Sequence, residues 1–172
     1  MKTNKKRPYK SNIMSIKECN KTTLPRQKAE FGPLSSYKFE LYNTTNKNQL
    51  LRGNITLRHH SSNFWIKSDS YILKDGKWTH QISLPEMDCN NPVPLYIIKM
   101  TTLRYDPKTC AVQKGFYQFS NVDLNALEHL WAREREYGII LWKTEILTKY
   151  YTLFCVVVET IVQPLQYSRK KT

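Results

Sequence analysis

The chain has 172 residues, of which 40% are hydrophobic and 12% aromatic, enough length and apolar surface for one domain with its own core, which excludes wholesale disorder. Its formal net charge of +13 sits mainly at the ends: nine Lys/Arg against two Glu in residues 1–30, three Lys/Arg against no acid in residues 163–172, and fifteen basic against twelve acidic groups between them. That near balance excludes a phosphate-binding face on the middle of the chain and reads the ends as solvated basic tails.

Residues 1–16 are polar and basic with little periodicity and predict a disordered lead. The basic start has no apolar segment of about 7–15 residues behind it, so no secretory signal is expected there. Strand signals follow. "YKFELYN" (37–43) alternates Tyr37, Phe39 and Leu41 with polar residues, and "NITLRHH" (54–60) alternates Ile55, Leu57 and His59. "NFWIKSDSYIL" and "WTHQISL", joined through Asp75-Gly76, predict a hairpin, because Asp-Gly supplies the positive φ of a tight turn.

The stretch "NNPVPLYIIKMTTLRYDPKTC" (90–110) starts with two prolines and then offers Leu95, Ile98 and Leu103 at helical intervals, which predicts a short helix or irregular lid. Another strand, "GFYQFSNVDL", precedes "NALEHLWARERE", where Leu127, Leu130 and Trp131 suggest one amphipathic turn. Two long strands close the domain, "YGIILWKTEIL" and "YYTLFCVVVETIV", with an alternation expected to bury Ile139, Leu141, Phe154, Val156 and Val158. The longest uncharged apolar run, residues 150–158, is of strand length and too short for a transmembrane helix. Many short strands without long helices between them predict an all-β, two-sheet sandwich over residues 17–163, followed by a basic tail over 164–172.

The four cysteines, Cys19, Cys89, Cys110 and Cys155, form no C-x-x-C pair and have no His at metal-ligand spacing, so disulfides are expected rather than a structural metal site. Four cysteines allow three connectivities, and spacing does not choose among them. Three N-glycosylation sequons start at Asn20, Asn43 and Asn54. Together with the even cysteine count they point to an oxidising, secretory compartment.

Lys114-Gly115-Phe116 matches the start of an RNA-recognition strand, but Tyr117 stands where a small residue belongs and Gln118 where an aromatic belongs. No nucleic-acid partner is expected on that ground. No G-x-S-x-G elbow or phosphate-binding glycine loop occurs among the five glycines, so no catalytic residue is assigned and no cofactor is expected. Adjacent strand residues point to opposite faces, so His59 and His60 do not make a chelating pair. The scattered Asp and Glu are read as solvated.

Cys110-Ala-Val-Gln-Lys-Gly-Phe-Tyr117 is similar to the Cys-Pro-hydrophobic-x-Lys-Gly-x-Tyr strand start of the ML lipid-recognition superfamily, with Ala111 in place of its Pro. "GNITL" at 53–57, "NPVPLY" at 91–96, and "YGIIL" and "FCVVV" at 137–141 and 154–158 resemble other strands and the lid of that family. From about Cys19 to Val162 the chain thus resembles its ganglioside-activator-like branch, including insect chemosensory B-type relatives. The resemblance implies an immunoglobulin-like sandwich whose sheets splay around an apolar cavity under a short lid. It also implies Cys19–Cys155 and Cys89–Cys110 disulfides.

Under that resemblance the inward strand positions Phe64, Ile66, Ile139, Leu141, Phe154 and Val156 are candidate cavity-wall residues, with Leu130 and Trp131 near the mouth and Tyr96 beside Trp131 at a rim. The implied function is a secreted, non-enzymatic protein that binds a lipid or another hydrophobic small molecule as carrier, lipid presenter or chemosensory accessory, with membrane-surface or receptor contact. An extracellular protein-interaction module with a filled core is the alternative, and a nucleic-acid binder a remote one.

Overall fold

Strand alternation along the chain resolves into nine β-strands and two short helices in a computed structural model that describes residues 8–19, 35–46, 48–149 and 152–165. In chain order they are β1 (Tyr9–Glu18), β2 (Ser35–Asn43), β3 (Gln49–Leu57), β4 (Trp65–Lys74), β5 (Lys77–Ser83), β6 (Met87–Asp88), α1 (Pro92–Thr101), β7 (Gly115–Val122), α2 (Leu124–His129), β8 (Gly138–Leu147) and β9 (Thr152–Pro164). Every pairing is antiparallel. One sheet runs β1-β9-β8-β4-β5, with β6 also paired to β4, and the other runs β2-β3-β7. The protein is an all-β two-sheet sandwich, as its strand-rich pattern predicts.

The β4–β5 hairpin turns at Asp75 and Gly76, whose φ values of 48° and 73° are both positive, the geometry that matches the twist of the flanking strands. Gly53 is required for a different reason. A Cβ built there would lie 2.0 Å from the Lys38 carbonyl oxygen of the paired strand β2, so no larger residue fits without moving backbone.

The expected disordered lead is corrected for residues 9–16, which lie in β1 and pair with β9 from Tyr9 opposite Pro164 to Glu18 opposite Val156. The pairing shifts between Ile13 and Ser15, so Tyr9 and Ser11 point inward on one side of the bulge and Ile16 on the other. A bulge erases the period of two that identifies a strand in sequence. The free side of β1 is closed by a side chain rather than a strand: Gln49 accepts from the Ile13 amide at 2.6 Å and donates to the Ile13 carbonyl at 2.9 Å. The basic tail expected over 164–172 overlaps the end of β9 at Pro164, and its residues 166–172 lie outside the described residues. The strand expected over residues 54–60 ends at Leu57, leaving His59 and His60 exposed.

Helix α1 starts at Asn91, whose side chain accepts from the Val93 amide, with Pro92 at the first turn, and it stops at Thr102 in the left-handed conformation. Its buried residues are Val93, Pro94, Ile98 and Thr101, so Ile98 faces inward as expected and Leu95 does not belong to that buried set. Helix α2 is capped by Asp123, which accepts from the Ala126 amide at 3.0 Å. No helix among the described residues is long and apolar enough to cross a membrane.

Both cysteine pairs implied by the family resemblance are joined, Cys19–Cys155 with Cα atoms 5.3 Å apart and Cys89–Cys110 with Cα atoms 5.5 Å apart. The first fixes the end of β1 to β9, next to the hydrogen bond from the Cys19 amide to the Cys155 carbonyl. The second ties the segment before α1 to the segment before β7. These bonds suit an oxidising, extracellular-type compartment.

Two apolar clusters form the interior. One joins the sheets through Leu51, Ile55, Ile66, Tyr117, Phe119 and Phe154, and the other gathers Tyr9, Ile72, Ile140, Trp142 and Val162.

Candidate ligand cavity

The inward face of the larger sheet follows from its register. Ile66, Ser68, Ser70 and Ile72 of β4 stand opposite Ile146, Thr144, Trp142 and Ile140 of β8, which stand opposite Phe154, Val156, Val158 and Thr160 of β9. On strands flanked by neighbours, residues facing another sheet are normally sealed. Thr144, Ile146, Val156 and Val158 are only half-buried, because the facing three-stranded sheet does not fill the space above them.

That space is a cavity of about 200 Å³. Its roof is Phe39, Leu51, Ile55 and Phe119 from the smaller sheet, and Val93 and Ile97 of α1 with Leu124 and Leu127 of α2 close one side. The volume exceeds the roughly 150 Å³ of an apolar void that stays dry and takes benzene, and falls below the roughly 300 Å³ at which drug-sized pockets begin. Its capacity therefore suits one slender apolar moiety rather than a bulky multi-chain molecule.

Of the candidate wall residues, Ile66, Trp131, Phe154 and Val156 line this cavity. Phe64 is buried in the neighbouring core without reaching the wall, and Leu130 is 48% exposed to solvent. Ile139 and Leu141 are corrected outright, since they share the outer face with Lys143 and Glu145 while Ile140 and Trp142 point inward. The two charged residues carried the right parity in sequence, as a strand alternates strictly. Apolar residues at both 139 and 140 masked it.

Trp131 is not a free rim aromatic. Its ring packs edge-on against Trp142 with centroids 4.8 Å apart, and the Arg135 guanidinium lies 5.2 Å from the Trp131 ring and 4.9 Å from the Trp142 ring. Tyr96 is half-buried and donates to the Asp123 carbonyl at 3.2 Å, holding α1 to the cap of α2. Burial pushes its phenol pKa up.

A polar cluster closes the end of the cavity nearest these tryptophans, and it corrects the reading of the acids as solvated. Glu128 and Arg135 form a 2.6 Å ion pair with side chains only 8% and 6% exposed. Ser11 donates to the other Glu128 oxygen at 2.7 Å, and Arg135 donates to Gln81 at 3.0 Å. Burial lowers the Arg135 pKa, opposed by the Glu128 charge. Tyr9 donates to the Ala132 carbonyl at 2.8 Å and stacks on His129, and burial followed by the Glu128 charge pushes its phenol well above its usual range. Neither period nor motif marks this pair, because Glu128 lies in the last turn of α2 and Arg135 in the loop beyond it. Only the turn of that loop brings them together.

Glu128 is the only charged residue on the described cavity wall. Among the described residues no cluster of three His, Cys, Asp or Glu could hold a metal ion. Of the sequon asparagines, Asn43 is exposed at the end of β2, Asn54 is half-buried on the outward face of β3, and Asn20 lies outside the described residues. No protein-family model matches the chain, and no curated protein matches its sequence.

Proposed function

We propose that this protein is a secreted, non-enzymatic binder of a lipid or another hydrophobic small molecule, built on an ML-type sandwich. One observation carries the reading: an apolar cavity left open between the two sheets of a disulfide-bonded sandwich, where sealing it with larger side chains would have been the more stable choice. Each ligand methylene moved from water into such a space contributes about 0.8 kcal/mol, so a single chain is held without covalent chemistry. The volume favours a one-chain or comparably slim ligand over a glycolipid with several chains. Roles as carrier, presenter or chemosensory accessory are all compatible with this chemistry.

Native mass spectrometry of the chain, secreted from eukaryotic cells behind a supplied signal peptide, tests the proposal. The expected result is a polypeptide four hydrogens lighter than its reduced form with a reproducible lipid-sized adduct. Protein that stays free of ligand when challenged with apolar compounds would overturn it.

A second reading rests on the outer face of the larger sheet. Leu73 opposite Trp78, Tyr71 opposite Leu141, and Ile139 opposite Ile161 form a half-exposed apolar strip, with Trp78 42% exposed at the β5 edge. Strips of this kind mark protein contacts. An extracellular interaction module is the function this face would serve if the cavity proves empty.

A further inference from the structure

Ser68 and Thr144 interrupt an otherwise apolar stretch of cavity wall. They stand directly opposite each other on β4 and β8, with their hydroxyl oxygens 2.7 Å apart. Ile66 and Ile146 flank the pair on one side, Trp142 lies one step along β8 on the other, and Val156 is the neighbour across on β9. Two hydroxyls bring two hydrogens, and their mutual bond uses one. The second hydrogen has no protein acceptor among the described residues, and lone pairs on both oxygens remain free.

The other polar groups on the wall are engaged. Thr101 donates to the Ile97 carbonyl at 2.6 Å, Thr160 donates to the Ile140 carbonyl at 3.3 Å, and Glu128 is held by Ser11 and Arg135. Among the described residues no Lys, Arg or His lies on the wall, and Arg135 sits behind the tryptophans with its partners in place. A carboxylate brought inside would lose its water and meet no free cation, which is costly in an apolar space. An uncharged oxygen needs only one donor, and the hydroxyl pair offers one.

The geometry points to the ligand class: a hydrocarbon chain bearing a single uncharged oxygen, as in an alcohol, aldehyde or ketone, whose oxygen hydrogen-bonds to the Ser68–Thr144 pair. This rests on the cavity-binding reading above and names the chemistry that the site selects. The pair sets the preference, and the surrounding wall supplies the affinity.

The test compares n-octane, 1-octanol and octanoate at pH 8, titrated by tryptophan fluorescence, to which Trp131 and Trp142 on the wall contribute, with the natural protein and a Ser68→Ala/Thr144→Val variant. Removing both hydroxyls together leaves no orphaned partner, so the variant is expected to fold normally. The expected result is 1-octanol binding weakened about ten-fold or more in the variant, n-octane binding not weakened, and octanoate weaker than 1-octanol in the natural protein. Unchanged 1-octanol binding in the variant, or octanoate binding more tightly than 1-octanol, overturns the ligand class while n-octane binding leaves the cavity reading standing. Failure of n-octane and 1-octanol alike to bind the natural protein overturns both.

Discussion

Replacing Glu128 by Ala would leave the Arg135 guanidinium buried against two indole rings with its 2.6 Å partner gone. Breaking a buried ion pair from one side typically costs about 3–5 kcal/mol, and urea unfolding of Glu128→Ala is expected to read a loss of that size. Removing both charges, as Glu128→Leu with Arg135→Met, is expected to come much closer to the natural protein, since no uncompensated charge remains. Tyr9 gives a second prediction at this scale. Burial holds its phenol neutral in the folded protein well above the range where the unfolded chain ionises, near 10. Its stabilising contribution is therefore complete below about pH 10 and is lost as pH rises above that, at no more than about 1.4 kcal/mol per pH unit. Unfolding measured at rising pH should show a shallower decline in Tyr9→Phe than in the natural protein. None of these residues is marked in the sequence, because a buried ion pair and a buried phenol are defined by what folds over them.

The elements were more legible than the side chains on them. The Asp75-Gly76 hairpin, the two long closing strands and the helix behind Asn91-Pro92 each follow from a local rule, positive φ, β-branched alternation and N-capping, that needs no distant partner. Strand β1 escaped because its bulge breaks the alternation and its outer edge is satisfied by the Gln49 side chain. Two predictions belong here. Gly53→Ala would set a Cβ against the Lys38 carbonyl and is expected to destabilise the β2–β3 pairing by about 1–3 kcal/mol, read as a lowered denaturation midpoint. Replacing Cys19 and Cys155 by Ser opens a loop spanning 136 residues and is expected to cost up to about 5 kcal/mol, against about 3 kcal/mol for the Cys89–Cys110 pair with its separation of 21. Denaturant unfolding of the two double variants should rank them in that order.

At the scale of the molecule, the defining feature is the mismatch between a broad sheet and a three-stranded one, with α1 and α2 covering what the smaller sheet leaves bare. Thr144, Val156 and Val158 stay half-buried on interior-facing positions because of that mismatch. Filling the space separates a functional cavity from a packing defect. Val156→Phe is expected to abolish adduct formation in native mass spectra while leaving the thermal midpoint equal or higher, because the new ring occupies room that is already present. Loss of stability with ligand uptake retained would show that the wall can yield and that the cavity does not set the ligand's size.

By itself the sequence determined the strand-rich class, most strand positions and the hairpin turn, because each depends on a period or a turn chemistry carried by neighbouring residues. It also carried the outward parity of β8, in Lys143 and Glu145, beneath apolar residues on both faces. The tertiary structure alone decided which apolar positions wall a cavity and which fill a core, since the two share one composition and differ only in whether an opposing side chain arrives. It also decided that Glu128 meets Arg135 and Ser68 meets Thr144, through a loop turn in the first case and a strand register in the second, neither of which leaves a local trace.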